Sequence, residues 1–347
     1  MDFFENIEKI IPQEHLQDIG KPNNSSDIFF RKTSYKKLYK LLNFSQKQNF
    51  IDYSYINASK SSNVLLDIFT AWSDNLIPVI SGEDSTPSLL EPKEWVNSFK
   101  PRAFRHFLPI VLFTSGTTGS PKPYIISLEN IFYHYLGIKK EINLSPNSVY
   151  GANLPSHHLS GLMPFFRIFL CGGKVEEFSF SNTTSHETIT HLSIVNSQLF
   201  RLNEGRNKLK SLEAVLLGGG KINLNMTKKC LANKLPIFVT YGLSEMCSSV
   251  TIRNLQKDPF SPNENQDKFH LGSTISGIEI ISTSPHLALK GSQCFEGYIN
   301  DVKFCKMDGT FSTKDLGEVI EGKLYLKGRS DNIFISGGKN VSLKKLE

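Results

Sequence analysis

Thr114-Ser-Gly-Thr-Thr-Gly-Ser-Pro-Lys122 is the stretch that sets the reading of this chain. Successive backbone N–H groups in such a turn form an anion-binding concavity, and glycine lets the backbone approach an anion with no Cβ in the way. Lys122 adds a mobile positive charge. The hydroxyls of Thr114, Ser115, Thr117 and Thr118 can donate to phosphate oxygens or help hold a hydrated divalent cation. The stretch is a phosphate grip. It differs from the loop Gly-x-x-x-x-Gly-Lys-Ser/Thr that leads straight into a helix, because the glycine spacing is different and Pro121 precedes the lysine. The apolar run 108–113 predicts a buried strand and 123–127 a second one, so the loop joins strand to strand. Ser127 is then the N-cap of a helix with Asn130 onward as its body.

The nine residues resemble the signature Thr-Ser-Gly-Thr-Thr-Gly-x-Pro-Lys of the adenylate-forming (AMP-binding) enzymes, the superfamily of acyl-CoA synthetases, luciferases and peptide-synthetase adenylation domains. A Ser/Thr/Gly surface loop is the plain alternative for a single match. Three more segments follow in the family's order. Tyr241-Gly-Leu-Ser-Glu245 is similar to Tyr-Gly-x-Thr-Glu, with Ser244 keeping the hydroxyl. Phe-Ser-Thr-Lys-Asp-Leu-Gly-Glu-Val at 311–319 resembles the Thr-x-Asp-Leu-Gly segment around Asp315. Residues 328–341 resemble the Gly-Arg-x-Asp hinge, with Arg329 and Asp331, and the glycine turn behind it. Four ordered matches remove coincidence. They extend from near residue 50 to the end of the chain.

At 347 residues the chain exceeds one ordinary core, so more than one subdomain is expected. Hydrophobic content of 39% with 21% charge fits a water-soluble globular protein. The net charge of +6 suits anionic ligands and equally fits ordinary surface lysines. No basic cluster interleaves with aromatics, which disfavours nucleic acid as a partner. Cys171, Cys230, Cys247, Cys294 and Cys305 are odd in number and none forms Cys-x-x-Cys, so neither a zinc site nor a disulfide framework is indicated. The acidic N-terminus lacks a signal-peptide pattern, and no apolar stretch reaches membrane-span length. The expected compartment is the cytoplasm.

Along the chain a helix is expected at 34–42, then a strand at 50–56, a helix at 59–72 and a strand at 76–80, one parallel βαβ unit. Residues 81–105 read as surface connection. Strands and helices alternate through 152–154, 161–170, 174–178, a helix near 185–190, 192–195, 214–217, 224–231 and 238–240. Beyond Cys247 the pattern turns to short strands, with a small antiparallel barrel or sheet as the natural reading. The resemblance implies the α/β fold of the family's large N-terminal domain: two α/β sheet subdomains over 1–246 and a small distorted β-barrel over 247–330. A hinge and the start of a truncated C-terminal domain occupy 331–347. Members of the family carry a mobile C-terminal domain with a catalytic lysine near its end. That lysine has no counterpart here, Lys339, Lys344 and Lys345 are not promoted in its place, and truncation of a longer, otherwise impaired protein is the expectation.

The resemblance also implies roles. Residues Thr114, Ser115, Gly116, Thr117, Thr118, Gly119 and Lys122 hold the β- and γ-phosphates of ATP. Glu245, with Thr118, holds Mg²⁺, and Ser244 lies beside the α-phosphate; alone, a glutamate after Tyr-Gly reads as a solvated turn charge. Asp315 accepts both ribose hydroxyls and Arg329 reaches ribose or phosphate. Gly218, Gly219 and Gly220 end a strand in a tip that a flat adenine or the acid can approach, and Tyr241 stacks on the base, with core packing as the competing explanation. Leu154-Pro-Ser-His-His-Leu-Ser-Gly-Leu162 is similar to a segment of the o-succinylbenzoate–CoA ligase branch. By that likeness His158, Ser160, Gly161, Ser197, Gln198 and Gly219 face a carboxylic acid, with Arg201 a further candidate and His157 competing with His158. Coenzyme A is the implied co-substrate, and the resemblance admits a homodimer. Another aromatic or fatty acid, or a non-catalytic AMP-binding module, are the alternatives.

Overall fold

The computed structural model describes residues 52–59, 61, 63–82, 108–114, 121–181, 186–261, 264–265, 268–300, 303–306, 308–331, 333–336 and 339–342. The expected helix at 34–42 and the connection at 83–105 lie outside them.

Strand β1 (Asp52–Asn57), the helix Val64–Ser73 and β2 (Leu76–Ser81) form the expected parallel βαβ unit, with Asp52 opposite Leu76. The helix starts later than the apolar pattern indicates. Asn63 caps it, its side chain accepting from the Leu66 N–H, and the Ser61 hydroxyl donates to Asp67 at 2.6 Å, so the residues before Val64 serve as a cap. Strand β3 (Pro109–Thr114) pairs parallel with β2 and antiparallel with β4 (Lys122–Ser127). The stretch between them therefore joins two antiparallel neighbours. Trp72, fully buried, donates its indole N–H to the Pro109 carbonyl at 2.8 Å and fixes the helix on the start of β3. Ser127 caps the helix Leu128–Ile138 in a reciprocal box with Asn130, as expected.

The second sheet contains β5 (Val149–Ala152), β6 (Lys174–Glu177), β7 (His191–Val195), β8 (Ala214–Gly218), β9 (Ile237–Leu243), β10 (Ser248–Asn254) and β11 (Ser273–Thr274), in spatial order β11-β10-β9-β8-β7-β5-β6. Strands β5 to β9 run parallel, and β10 returns antiparallel to β9. The helices Leu159–Cys171, Leu199–Gly205 and Leu224–Ala232 supply crossovers. No helix forms near 186–190. There His186 and Thr188 both bond to the Glu176 carboxylate, at 3.0 and 2.7 Å, and Thr190 bonds back to Val149, so side chains compete successfully with a helical ladder in a β-branched run.

Further on come β12 (Ile278–Ser282), β13 (Ala288–Gly291), β14 (Gly297–Asn300), β15 (Lys303–Lys306) and β16 (Thr310–Ser312), then the hairpins β17 (Asp315–Ile320) with β18 (Lys323–Arg329) and β19 (Ile333–Ser336) with β20 (Lys339–Ser342). Strands β12, β13 and β16 make a three-stranded antiparallel sheet. The rest are shared out. Strands β10 and β11 complete the seven-stranded sheet, while β14 pairs with β4 and, with β15, completes a six-stranded one. A boundary at 246/247 thus separates neighbours that the sheets join.

Period-2 alternation places the core. Ile110, Leu112, Tyr124 and Ile126 face the large core between the two main sheets, and Val111, Phe113 and Ile125 face a smaller cluster with Ile77, Val79 and Ile299. Phe69 packs edge-on against Phe169 at 5.1 Å, joining the helices of the two sheets. Each such aromatic side chain, fully buried, contributes roughly 1.5–3 kcal/mol by removal from water.

Candidate active site

Ligands of open parallel sheets bind beyond the carboxyl ends of the strands. In the seven-stranded sheet those ends carry Asn153 after β5, residues 196–198 after β7, Gly218 to Gly220 after β8, and Ser244 and Glu245 after β9. Gln198, the glycine tip and the pair Ser244 and Glu245 are the sequence candidates that fall on this edge. Gln198 accepts from the Val195 N–H at 3.2 Å and from Asn153 at 3.4 Å, linking the β5 and β7 ends, whereas Ser197 and Arg201 are exposed. Asn196 accepts from the Asn223 N–H at 2.8 Å, which joins this corner to the glycine tip. Gly219 and Gly220 have φ of 72° and 157°, and a Cβ on Gly218 would stand 3.0 Å from Thr240 Cγ2.

The turn from β9 to β10 is strained. Cys247 and Ser248 are non-glycine residues with φ of 52° and 100°, a cost of about 1–3 kcal/mol each. Gly242 makes the turn sterically feasible: a Cβ there would lie 2.1 Å from the Ser248 carbonyl oxygen. Glu245 sits in this turn, its carbonyl accepting from the Phe295 N–H at 2.8 Å and its carboxylate from the Tyr298 phenol. Desolvation raises the Glu245 pKa, opposed by that phenol and by the nearby Arg329 charge. A carboxylate that is costly to bury and only partly compensated is poised for a cation.

Asp315 opens β17 opposite Arg329 on β18. Its Oδ2 accepts from Tyr241 at 2.6 Å, its Oδ1 from Arg329 Nη1 at 2.9 Å, and its N–H donates to Thr313 Oγ1. Arg329 also grips Asp331 through Nε and Nη2, at 3.0 and 2.9 Å. The Tyr241 ring is buried and its hydroxyl is committed to Asp315.

His157 and His158 lie at the mouth of the β5 loop with ring centroids 4.3 Å apart. A Cβ on Gly82 would meet the His157 ring at 2.8 Å, so His157 is the one packed against the first sheet. His158 precedes the helix Leu159–Cys171 and is partly accessible. Ser160 is exposed on the first turn, and Gly161 is buried where a Cβ would meet the Pro155 carbonyl at 2.2 Å, a packing requirement. Thr114 and Lys122 stand opposite one another at the loop mouth, with the Lys122 side chain exposed. Ser115, Gly116, Thr117, Thr118 and Gly119 lie outside the described residues.

Sequence reasoning missed three groups. Tyr298, whose phenol donates to the Glu245 carboxylate, and its cross-strand partner Tyr124 come from the six-stranded sheet. Arg167 is buried behind the histidine loop, bonding Tyr150 at 3.3 Å and Ser248 at 3.4 Å, with Nε unpartnered. A buried arginine inside the helical stretch 161–170 was the available signal. Among the described residues no cluster of three His, Cys, Asp or Glu side chains forms a self-standing metal centre. Glu245 offers one hard oxygen ligand, the kind of group that suits Mg²⁺, an ion that takes one or two carboxylates and completes its shell with phosphate and water.

Residues 75–282 match the model of the AMP-binding enzyme family, and the chain belongs to that family. Among its relatives is a 2-succinylbenzoate–CoA ligase of Staphylococcus epidermidis, 29% identical over 256 residues, covering 68% of this chain and 52% of that protein. A Staphylococcus aureus 2-succinylbenzoate–CoA ligase is 26% identical over 279 residues, covering 76% and 56%. The chain thus spans about half the length of these relatives. In fold it is similar to the o-succinylbenzoate CoA synthetase of Bacillus subtilis in complex with the acyl-adenylate intermediate, with TM-score 0.69, 19% identity and coverage of 91% and 77%. The Escherichia coli MenE with a bound analogue gives TM-score 0.66 at 22% identity, covering 90% and 76%. Among the described residues no helix is long and apolar enough to cross a membrane.

Proposed function

We propose that the protein is an ATP-dependent acid–CoA ligase of the cytoplasm that activates 2-succinylbenzoate as its acyl-adenylate and passes the acyl group to coenzyme A. The observation that carries this reading is the convergence of Glu245 with the Tyr241–Asp315–Arg329 network on the carboxyl edge of the parallel sheet, next to the strands that flank the phosphate grip.

Carboxylates do not acylate thiols directly, because the oxygen that must leave is a poor leaving group and the anion resists attack. Exchange of that oxygen's proton-hungry charge for a bond to the α-phosphorus of ATP, with pyrophosphate expelled, supplies a good leaving group, AMP. The protein's task is then to align the acid with the phosphorus and to balance charge as it moves onto pyrophosphate. The loop at 114–122 and Lys122 grip the outgoing phosphates. Asp315 accepts from the ribose hydroxyls; a carboxylate has about four lone-pair positions, of which Tyr241 and Arg329 use two. Gly218 to Gly220 make room for the adenine. His158, with Gln198 and Gly219, borders the acid, and Ser244 borders the α-phosphate. Bound Mg²⁺, held by Glu245 and Thr118, would neutralise polyphosphate charge.

The test is exchange of labelled pyrophosphate into ATP. 2-Succinylbenzoate should stimulate it, while other benzoates and fatty acids should not. Stimulation by one of those acids instead assigns a different substrate, and nucleotide binding with no exchange for any acid, even when a relative's C-terminal domain carrying the catalytic lysine is added in trans, makes the chain a binding module.

A further inference from the structure

Tyr298 on β14 stands directly opposite Tyr124 on β4. Cross-strand partners share a face of the sheet, here the one that Tyr124 turns toward the main core. Lys122, two residues before Tyr124, is on that face as well. The Tyr298 phenol reaches Oε1 of Glu245. A hydroxyl from one sheet thus meets a residue at the tip of the other. Phe295 secures the junction, its N–H on the Glu245 carbonyl at 2.8 Å and its ring edge-on to Tyr298 at 4.8 Å.

We propose that Tyr298 is a positioning residue for the divalent cation, its phenol fixing one oxygen of Glu245 so that the remaining lone pairs of the carboxylate are offered to the cation in a single orientation. The inference rests on the reading of Glu245 as a Mg²⁺ ligand. A glutamate has three side-chain torsions, and a free one must freeze all of them when a cation binds. A donor on one oxygen freezes them beforehand, the task of outer-shell partners in metal sites. The chemistry of the donor matters too. A lysine in place of Tyr298 would cancel the charge that attracts the cation; a neutral phenol orients the carboxylate and leaves its charge in place. Because Tyr298 and Lys122 belong to adjacent strands, the same contact holds Glu245 in register with the strand that carries Lys122.

Mn²⁺ is the probe, its free concentration read by electron paramagnetic resonance during titration of the chain saturated with α,β-methylene ATP. Tyr298→Phe should raise the Mn²⁺ Kd about 10-fold or more. Nucleotide affinity in EDTA should stay as in the wild type, whereas loss of a tyrosine that merely shaped the fold would lower it as well; some loss of thermal stability is expected from the missing bond to the Glu245 carboxylate. In a Glu245→Gln background the effect of Tyr298→Phe should disappear. Should Tyr298→Phe fail to fold, 4-fluorophenylalanine at 298 fills the hydroxyl's volume, cannot donate, and must show the same loss; 4-aminophenylalanine, which donates, must retain wild-type affinity. Unchanged Mn²⁺ affinity in the non-donating variants, or an equal loss without Glu245, overturns the inference alone. A wild-type chain with no nucleotide-dependent Mn²⁺ binding overturns the ligase reading, and the inference with it.

Discussion

Tyr241 donates its phenol proton to Oδ2 of Asp315 at 2.6 Å, a bond across 74 residues of sequence that ties the parallel sheet to the β17–β18 hairpin. Arg329 holds the other oxygen. The carboxylate is therefore fixed before any nucleotide arrives, and its unused lone pairs are what a ribose would meet. Asp315→Asn keeps the shape but replaces one acceptor oxygen by a donor amide that faces Tyr241 or Arg329. A hydrogen bond to a charged group contributes about 1.5–3 kcal/mol, so ATP affinity should fall at least about 10-fold, measured by calorimetry. Tyr241→Phe should produce a smaller loss in the same direction.

Gly242 admits no side chain. Its Cβ would meet the Ser248 carbonyl oxygen at 2.1 Å, and backbone must move to relieve that. Gly242→Ala should destabilise the fold by about 1–3 kcal/mol, seen as a lowered midpoint in urea unfolding. Because the displaced segment carries Glu245, Mn²⁺ binding should weaken in the molecules that still fold.

The Glu245 carboxyl is raised by burial, with the Tyr298 hydrogen bond opposing. A carboxyl raised on folding binds its proton more tightly in the native state, so its contribution favours folding in acid and is lost as pH rises through the folded pKa. At neutral pH the folded protein bears the cost of the charge. Glu245→Gln should raise the melting temperature at pH 7.5 by about 2 °C and leave it nearly unchanged at pH 4. The gain in stability should accompany loss of Mn²⁺ binding.

His134, His191 and His270 shift the other way. Burial lowers all three, helped by the Arg167 charge at His134 and by Arg253 at His270. His134 accepts from the Ser249 N–H at 3.2 Å, a role open only to the neutral ring. A depressed histidine contributes stability that is present above its unfolded pKa and lost as pH falls, with a slope of up to about 1.4 kcal/mol per pH unit for each proton. The urea midpoint should drop from pH 7.5 to 5.5. His134→Gln, whose amide oxygen can accept from Ser249, should flatten that drop by about one proton's worth.

The sequence made legible whatever depends on local pattern. The strands either side of the 114–122 loop, the Ser127 cap and the strands of the first βαβ unit are written in apolar runs and capping residues, and they stand close to where they are expected, while that unit's helix starts later. Short motifs singled out Glu245, Asp315 and Arg329, and the structure joins the last two. What escaped depends on register between distant strands. Nothing near Tyr298 announces that β14 will lie beside β4 and bring its phenol to Glu245, 53 residues away. The helix expected near 185–190 failed for a similar reason, because Glu176, from another strand, captures His186 and Thr188. Tyr241 was singled out by its motif, but its hydroxyl's commitment to Asp315 was not legible.

The central claim is that one cleft, bounded by Asp315, Glu245 and the glycine tip, accommodates nucleotide and acid joined together. Calorimetric titration with a non-hydrolysable acyl-adenylate mimic of 2-succinylbenzoate tests it most directly. Binding should be tighter than for AMP or the acid alone, and Asp315→Ala should weaken it at least about 10-fold. A mimic that binds no better than AMP, or one indifferent to Asp315, would contradict the account.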